Sequence, residues 1–409
     1  MNLRARLVEL RPHLGPLAIF VALAALFCAP VLAHPLRLAL GHPDNDVWNH
    51  IWGFWWVAQS LLDGRLPLRT DLVSWPAGGT LWFIDTFNAL WTLPVTATLG
   101  AVASYNLAIF ANFVLCGYAA YRLALRTSRS VPGAVLSGVA YMSTPHLLGQ
   151  AYNGISETLS AGWLPLVLLT LLDAREFRTA RHAARLGVTF GICAVANWYY
   201  GLFAALVCGS VVLWDAGVAL RRRRLAELRV MVAQAVVATL ALVLTAGLPF
   251  GLFYLSMRAE DAVVTRDQAF VWMTLIMHNM TDAVSLVRPG HHYSPDLKAS
   301  FDEDLIVVVY LGHALVWPAL AVGLSAWRRM VRPWLAMALA FVVLTLGPFL
   351  YVAGGYIEVD RHWIALPFLY LHDALPMFSR ISHAYRFVIG ASLALSVMLA
   401  WAEIGRAHV

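Results

Sequence analysis

Residues 230–256 read VMVAQAVVATLALVLTAGLPFGLFYLS, without a charged side chain, and this stretch decides the fold class. As an α-helix it is longer than the roughly 30 Å of hydrocarbon that a helix must cross in a bilayer. Because lipid offers no hydrogen-bond partners, the backbone of such a segment must satisfy itself as a helix. The stretch therefore predicts a transmembrane helix.

The composition extends this prediction to the whole chain. Of its 409 residues, 60% are apolar and 13% are charged, whereas soluble domains carry about a quarter charged residues. Apolar runs long enough to cross a bilayer recur along the whole length, which excludes a water-soluble fold. We predict an all-α, polytopic transmembrane helical bundle. Its ten predicted spans lie near residues 15–33, 105–125, 132–146, 158–173, 185–200, 202–219, 230–256, 305–326, 333–352 and 384–401.

Arginine clusters between the spans indicate the sidedness. The formal net charge is +6, but the basic residues form short scattered clusters, which are better explained as topology signals than as a nucleic-acid surface. The positive-inside rule places the clusters in the cytoplasm. We therefore predict a multi-pass protein of the bacterial inner membrane with a cytoplasmic N-terminus. The clusters comprise Arg4, Arg6 and Arg11; Arg122, Arg126 and Arg129; Arg175, Arg178, Arg181 and Arg185; Arg221 to Arg224 and Arg229; and Arg328, Arg329 and Arg332.

One further apolar stretch, residues 83–103, is not counted as a span. Counting it would reverse every later segment and place the Arg221–Arg224 run outside the cell. Its aromatic residues suit a helix that lies at the outer interface. The chain is then predicted to form a single membrane domain, residues 1–401, with two long outer segments at 34–104 and 257–304.

The first outer segment carries two aspartates, Asp44 and Asp46, just before an amphipathic, tryptophan-rich helix that the sequence predicts from about Asp46. That helix would hold the pair against the membrane surface. Activating an acceptor hydroxyl where a lipid head group emerges needs a general base at that depth, so Asp46 is the first catalytic candidate, with Asp44 beside it. Helix capping and dipole stabilisation, worth about 0.5–2 kcal/mol, are the structural alternative.

Other polar residues of the predicted outer side are candidate partners. Glu157 lies at a predicted membrane boundary, where an unpaired carboxylate is costly unless it is used, and Asn153 belongs to the same face. Asp85 lies in the interfacial stretch, either as an anchor or as a substrate-binding residue. Arg380 and Arg386 near the last span oppose the charge rule, and either could bind a lipid phosphate. Helix capping for Glu157 and snorkelling for the arginines are the structural alternatives.

Metal binding has little support in the sequence. The second outer segment holds side chains of the types that ligate metals but no recognised ligand spacing, so a solvated acidic loop is favoured. A divalent cation is compatible with the aspartate pair of the first outer segment, and no other cofactor is assigned. The side chains of the second segment are His291, His292, Asp302, Glu303 and Asp304.

The order of these features resembles the bacterial GT-C superfamily of membrane glycosyltransferases, in particular its polyprenyl-phosphate-sugar-dependent, mannosyl- or aminoarabinose-transferase-like members. The features are the Asp-x-Asp loop (Asp44, Asp46), the interfacial aromatic helix, the WPAGG motif at Trp75–Gly79 and the WLPL segment at Trp163–Leu166. The resemblance implies transfer of a sugar from a polyprenyl phosphate to a lipid, glycan or protein acceptor outside the membrane. It also implies a catalytic role for Asp46 or Asp44 and an assisting role for Glu157.

Two other functions stay open at this stage. A transporter or flippase for a lipid-linked or polar solute would also be polytopic, but transporters usually place ionisable residues near the bilayer midplane. The acidic residues here lie at the predicted outer boundary, which favours the enzyme. The second alternative is a non-catalytic membrane protein of the envelope.

The last residues of the chain read EIGRAHV at 403–409, which matches the translation of a common sequencing adapter. We therefore expect 402–409 to be an adapter-derived tail and the natural chain to be longer.

Overall fold

The computed structural model describes residues 3–264, 267–290, 292–293, 305–325 and 327–402. The chain is predominantly α-helical, with four short antiparallel hairpins of two-residue strands in the described ranges. The predicted all-α membrane fold class is confirmed. The tail at 403–409 and the side chains of His291, His292, Asp302, Glu303 and Asp304 lie outside the described residues.

The helices follow one another with short connections. They are α1 Leu3–Phe27, α2 Ala29–Leu32, α3 Val47–Leu62, α4 Thr86–Trp91, α5 Leu93–Leu99, α6 Ala101–Ser128, α7 Val131–Met142, α8 Pro145–Asn153, α9 Trp163–Phe177, α10 Ala180–Ala196, α11 Trp198–Arg221, α12 Leu225–Arg258, α13 Gln268–Met273, α14 His313–Leu324, α15 Arg328–Thr345, α16 Pro367–Ala374 and α17 Val388–Leu399.

Short 3₁₀ and π turns and the hairpins complete the described chain. The 3₁₀ turns are Ser156–Gly162, Ala283–Leu286, Phe378–Arg380 and Ala384–Phe387, and the π turn is Thr274–His278. The strands are β1 Arg69–Thr70, β2 Gly79–Thr80, β3 His292–Tyr293, β4 Ile306–Val307, β5 Tyr351–Val352, β6 Gly355–Tyr356, β7 Glu358–Val359 and β8 His362–Trp363, paired in consecutive order.

Four helical stretches of the described chain are long and apolar enough to cross a membrane. They are Ala101–Ser128, Ser156–Phe177, Trp198–Arg221 and Leu225–Arg258. Shorter apolar helices at Pro12–Phe27, His313–Leu324 and Ala384–Leu399 coincide with three further predicted spans. The total of about ten spans and their sidedness stay predictions.

Several of the predicted spans differ from the observed helices, among them 305–326 and 333–352. Residues 305–311 are not helical and are mostly buried, with β4 at Ile306–Val307, and the helix of the predicted span 305–326 begins only at His313. The predicted span 333–352 ends early, since α15 stops at Thr345. Gly347 there has a φ of +76°, and Pro348 follows it, so the helix cannot continue.

The apolar stretch at 83–103 forms two short helices, α4 and α5, followed by the start of α6. Pro94 occupies the first turn of α5, where its missing N–H costs nothing, and this separates α5 from α4. Neither helix has the roughly 20 residues that a crossing requires. This geometry agrees with the prediction that the stretch does not span.

The chain divides into two compact units. Unit 1 comprises 1–49, 109–159 and 266–409, and unit 2 comprises 50–108 and 160–265. The prediction of one membrane domain over 1–401 stays a prediction.

Unit 1 is built around α17, all of whose residues are buried. Helices α7, α14 and α15 pack around it. Glycines allow the close approaches: Gly133 of α7 lies against the carbonyl of Ala400, and Gly390 of α17 lies against the ring of Phe341. Because small residues let helix backbones approach each other in a membrane, this packing is typical of a transmembrane bundle.

The carboxylate of Asp282 binds the turn of the β5–β6 hairpin in unit 1. Ala353 and Gly354 form the β5–β6 turn with φ values of +52° and +88°, a conformation that a two-residue hairpin of this type needs. Asp282 accepts hydrogen bonds from the N–H groups of Ala353 and Gly354, both at 3.0 Å. The carboxylate thereby accepts hydrogen bonds from the two turn amides, which have no partner in the strand pair.

We expect Asp282→Ala to loosen this hairpin without unfolding the protein. Loss of a charged acceptor for two amides costs about 1–3 kcal/mol, and we expect a local effect because Ala353 and Gly354 are exposed. Hydrogen exchange of the Ala353 and Gly354 amides should accelerate at least tenfold. Asp71→Ala, at an exposed loop position of unit 2, is the control, and unchanged exchange in Asp282→Ala would contradict the assignment.

Unit 2 is built on the packing of α10 along α12 and α9. Gly187 and Gly191, four residues apart on α10, face Ala238 and Thr245 of α12, which is the small-xxx-small arrangement of membrane helix pairs. Arg175 of α9 binds Asp215 of α11 through two hydrogen bonds of 2.7 and 2.8 Å. The bidentate geometry fixes the ends of these two helices.

Substituting Gly187 with leucine should separate α10 from α12. A Cβ at this position would overlap the carbonyl of Ala238, and overpacking of this kind costs about 1–3 kcal/mol or more. The Tm of the purified protein should fall by several degrees. Gly209→Leu on α11, where the space around the glycine is open, is the matched control, and equal Tm values for the two variants would refute the close packing.

Candidate functional site

The two aspartates of the first outer segment lie in a turn that is fixed to the end of α8. The N–H of His42 donates to the carbonyl of Tyr152 at 2.7 Å, and the rings of these two residues lie 5.2 Å apart. Val47 packs against Gly154, which ends α8. The Asp44–Asp46 turn therefore belongs to the same part of unit 1 as the segment that leads to Glu157.

The aspartates themselves are accessible. The side chain of Asp44 is 59% exposed and lies 3.8 Å from Nδ1 of His42. Asp46 is half-buried at the start of α3, and its Oδ1 accepts a hydrogen bond of 3.1 Å from Asn49. An accessible carboxylate at a helix start can accept a proton from an incoming hydroxyl, so Asp46 has the position that a general base needs.

Glu157 and Arg386 form the charged centre of unit 1. Glu157 lies in the 3₁₀ turn after α8 and is 3% exposed, and Arg386, in the turn before α17, is 7% exposed. Nη1 of Arg386 lies 3.9 Å from Oε1 of Glu157, which is an ion-pair distance but longer than a hydrogen bond. The sequence predicted both residues separately, and the fold brings them together.

This pair stands out from the other charges of the described chain. Of the acidic residues in the described ranges only Asp85 and Glu157 are buried, and of the arginines only Arg386. Burying an ion costs several kcal/mol unless a counter-charge and hydrogen bonds offset it. Arg380, by contrast, is exposed in the turn Phe378–Arg380, so the two predicted phosphate-binding arginines have different environments.

A buried polar helix face continues the site along α8. Nδ1 of His146 lies 3.0 Å from the carbonyl of Val308, and the ring of His146 contacts Tyr385 at 6.0 Å between centroids. Asn153 binds Ile306 twice: its amide donates to the carbonyl at 2.8 Å, and its oxygen accepts from the N–H at 2.9 Å. The Asn153 side chain thus binds both backbone groups of Ile306, as a neighbouring strand would. Its substrate-binding role stays a prediction.

Burial determines the protonation of His146. The residue is 1% exposed. The helix of the predicted span 132–146 ends at Met142, and His146 lies beyond it on α8, which is not one of the candidate spans. Burial, together with the charge of Arg386, lowers the pKa of His146 to about 4, although the bond to Val308 opposes the shift. The imidazole is therefore neutral at pH 7, and since a carbonyl only accepts, the proton is on Nδ1.

Unit 2 contains the other buried carboxylate, Asp85, which is 0% exposed. Its Oδ2 lies 3.7 Å from Nδ1 of His50 on α3, and its Oδ1 accepts a 2.7 Å hydrogen bond from Asn88 on α4. The Asn88 amide also donates to Ser160 at 3.2 Å, and its oxygen accepts from Trp91 at 2.9 Å. Asp85 is therefore the centre of a buried polar network and not only an interfacial anchor.

His50 and Asp85 are the residues of unit 2 that could hold a metal ion. A separation of 3.7 Å between ligand atoms fits two bonds of about 2.0–2.2 Å to one divalent cation. Asn88 would orient the carboxylate from behind, as outer-shell groups of metal sites do. Sequence reasoning missed His50, because a single histidine on an aromatic helix carries no ligand spacing.

No family model matches the sequence, and no curated protein matches it. Among solved structures, the chain matches ArnT from Cupriavidus metallidurans bound to undecaprenyl phosphate, with a TM-score of 0.54 and 14% identity over 95% of this chain. The chain therefore shares its fold with this part of ArnT. It spans 60% of the length of the ArnT chain. It also matches archaeal oligosaccharyltransferase AglB from Archaeoglobus fulgidus in complex with an inhibitory peptide and a dolichol-phosphate, at TM-score 0.49, 14% identity, 97% of this chain and 50% of that chain.

Unit 1 contains most of the predicted site residues. The Asp44–Asp46 turn is fixed to α8, Asn153 ends α8, and Glu157 follows it and meets Arg386. Asp85 belongs to unit 2, where His50 and Asn88 surround it. The site roles themselves stay predictions.

Proposed function

We propose that this protein is a membrane glycosyltransferase that moves a sugar from a polyprenyl-phosphate donor to a lipid, glycan or protein acceptor. The reaction takes place on the outer side of the bacterial inner membrane. The observation that carries the proposal is the buried pair of Glu157 and Arg386 in unit 1. The GT-C fold, which the chain shares with ArnT bound to undecaprenyl phosphate, supports it.

Arg386 is assigned to the phosphate of the donor. A buried guanidinium is a poor way to stabilise a fold, because an apolar residue of similar volume serves at least as well. Its planar fork of N–H groups matches two phosphate oxygens, and its charge offsets the negative charge that grows on the leaving phosphate. Arg380, in the preceding exposed turn, is the second candidate for this role.

The carboxylates are assigned to the acceptor. Asp46 takes the proton from the acceptor hydroxyl, with Asp44 as its neighbour, and Glu157 orients the acceptor. The hydroxyl oxygen then forms a bond to the anomeric carbon of the sugar while the bond between that carbon and the phosphate oxygen breaks. Attack from the opposite face inverts the anomeric centre and releases polyprenyl phosphate.

The remaining polar residues have supporting roles. Asn153, fixed to Ile306, is assigned to the wall of the substrate site. Within unit 2, Asp85 with His50 would hold a divalent cation and would supply a carboxylate oxygen and an imidazole nitrogen as its ligands.

The test uses the full-length protein in lipid nanodiscs with radiolabelled polyprenyl-phosphate mannose and polyprenyl-phosphate aminoarabinose. Membrane extracts supply lipid, glycan and protein acceptors. The expected result is label in an acceptor together with release of polyprenyl phosphate. Movement of the intact donor between the two leaflets of a vesicle membrane, without a covalent product, would identify a flippase and overturn the proposal. Neither transfer nor movement with any extract would favour a non-catalytic envelope protein.

A further inference from the structure

The buried face of α8 carries polar atoms that no described residue satisfies. Gln150 is 0% exposed, and neither its amide nitrogen nor its carbonyl oxygen has a hydrogen-bond partner in the described structure. His146 lies one helical turn before Gln150, and its Nε2 is buried without a partner in the described ranges. Residues four apart on a helix are neighbours, so the two side chains lie on the same face of α8.

Leaving these atoms unsatisfied would be expensive. Each buried polar group without a partner costs about 1–3 kcal/mol, and three such atoms lie on this single turn. Proteins normally satisfy groups of this kind with a buried water molecule that makes about three hydrogen bonds. The turn is also fixed on both sides, by the bond of His146 to Val308 and by the two bonds of Asn153 to Ile306.

The chemistry of the free atoms defines the ligand group. With the proton of His146 on Nδ1, its Nε2 accepts a hydrogen bond. The amide of Gln150 donates through nitrogen and accepts through oxygen. A group that both donates and accepts at one oxygen satisfies this set, and a hydroxyl is such a group. An anion would face two acceptors and is disfavoured.

We propose that His146 and Gln150 form a buried hydroxyl-binding site. The hydroxyl belongs either to an ordered water molecule or to the transferred sugar. The second source rests on the proposed function, whereas the first does not. Since His146 also touches Tyr385, the neighbour of Arg386, a sugar hydroxyl here would fix the donor sugar while Arg386 binds its phosphate.

The experiment compares Gln150→Leu and Gln150→Met with wild type in nanodiscs, first without any sugar. If ordered water occupies the site, both variants should lose several degrees of Tm, because they leave the water and Nε2 of His146 unsatisfied. Ser137→Ala removes another buried oxygen without a partner in the described ranges, on α7 of the same unit, and is the matched control with an unchanged or higher Tm. If both Gln150 variants instead raise the Tm, the amide has no ligand in wild type, and an ordered water molecule does not occupy the site.

The second arm measures Tm and transfer with polyprenyl-phosphate mannose as the probe. A sugar hydroxyl in the site predicts that the probe raises the Tm of wild type more than that of Gln150→Leu, with a KM about fivefold or more higher in the variant, as expected for one lost hydrogen bond. Equal probe shifts in wild type and variant exclude the sugar as the source. The proposed site is overturned if the probe raises the Tm of wild type and variant equally and both Gln150 variants have a higher Tm than wild type without the probe. Absence of transfer in wild type tests the proposed function and leaves the first arm intact.

Discussion

Replacing Asp46 with asparagine is expected to reduce sugar transfer by about 10²- to 10⁴-fold, the usual contribution of a general base. Asparagine keeps the size of the side chain and its bond to Asn49, so insertion and Tm should be unchanged. The loss should appear in kcat, because a base acts in the chemical step and not in binding of the donor. Initial rates with labelled donor in nanodiscs measure it.

Two aspartates of the same outer segment serve as controls. Asp63→Asn affects an exposed carboxylate that binds Gln59 and Arg65, and transfer should be unaffected. Asp44→Asn should reduce transfer less than Asp46→Asn, since Asp44 is the more exposed of the pair. Full activity in Asp46→Asn would remove Asp46 from the mechanism. Loss in Asp44→Asn alone would give the role of base to Asp44.

The second large effect concerns Arg386. Arg386→Met should destabilise the protein by about 3–5 kcal/mol, because it leaves the buried carboxylate of Glu157 without its counter-charge. Glu157→Leu should destabilise it for the opposite reason. The double variant Arg386→Met/Glu157→Leu replaces the pair with apolar side chains and should recover most of the lost stability.

The double variant separates structure from function. If Arg386 binds the donor phosphate and Glu157 orients the acceptor, the double variant folds with a Tm near that of wild type and transfers no measurable sugar. Arg380→Met, at the exposed position of the same region, should retain the wild-type Tm. A folded double variant with wild-type transfer would show that the pair is structural, and the donor phosphate would then have to be bound elsewhere.

Local sequence patterns predicted most helices but not where the last ones begin and end. The run at 230–256 is part of α12, and the arginine run at 221–224 falls between α11 and α12. The predicted span at 305–326 was partly wrong, because its first residues have the composition of a helix but are not helical. Residues 306–308 are bound by Asn153 and His146, and no local pattern encodes hydrogen bonds to a helix so far away in the chain.

The candidate site could be predicted as a set of residues but not as an arrangement. Glu157 was a candidate because a carboxylate is unusual at a membrane boundary, and Arg386 because an arginine is unusual on the outer side. Nothing in the sequence indicated that Arg386 would be buried beside Glu157 while Arg380 is exposed. The same holds for His50 beside Asp85.

The sequence by itself determined that this chain is a helical membrane protein. The free energy of transferring about 20 consecutive apolar residues into lipid is a sum of contributions from residues that are adjacent in the chain. The backbone hydrogen bonds of each helix also lie within that helix. The tertiary structure alone decided which ionisable groups are buried and which partners they have. The bonds between Asn153 and Ile306 join residues 153 positions apart, and such contacts depend on how helices pack, which side-chain spacing along the chain does not specify.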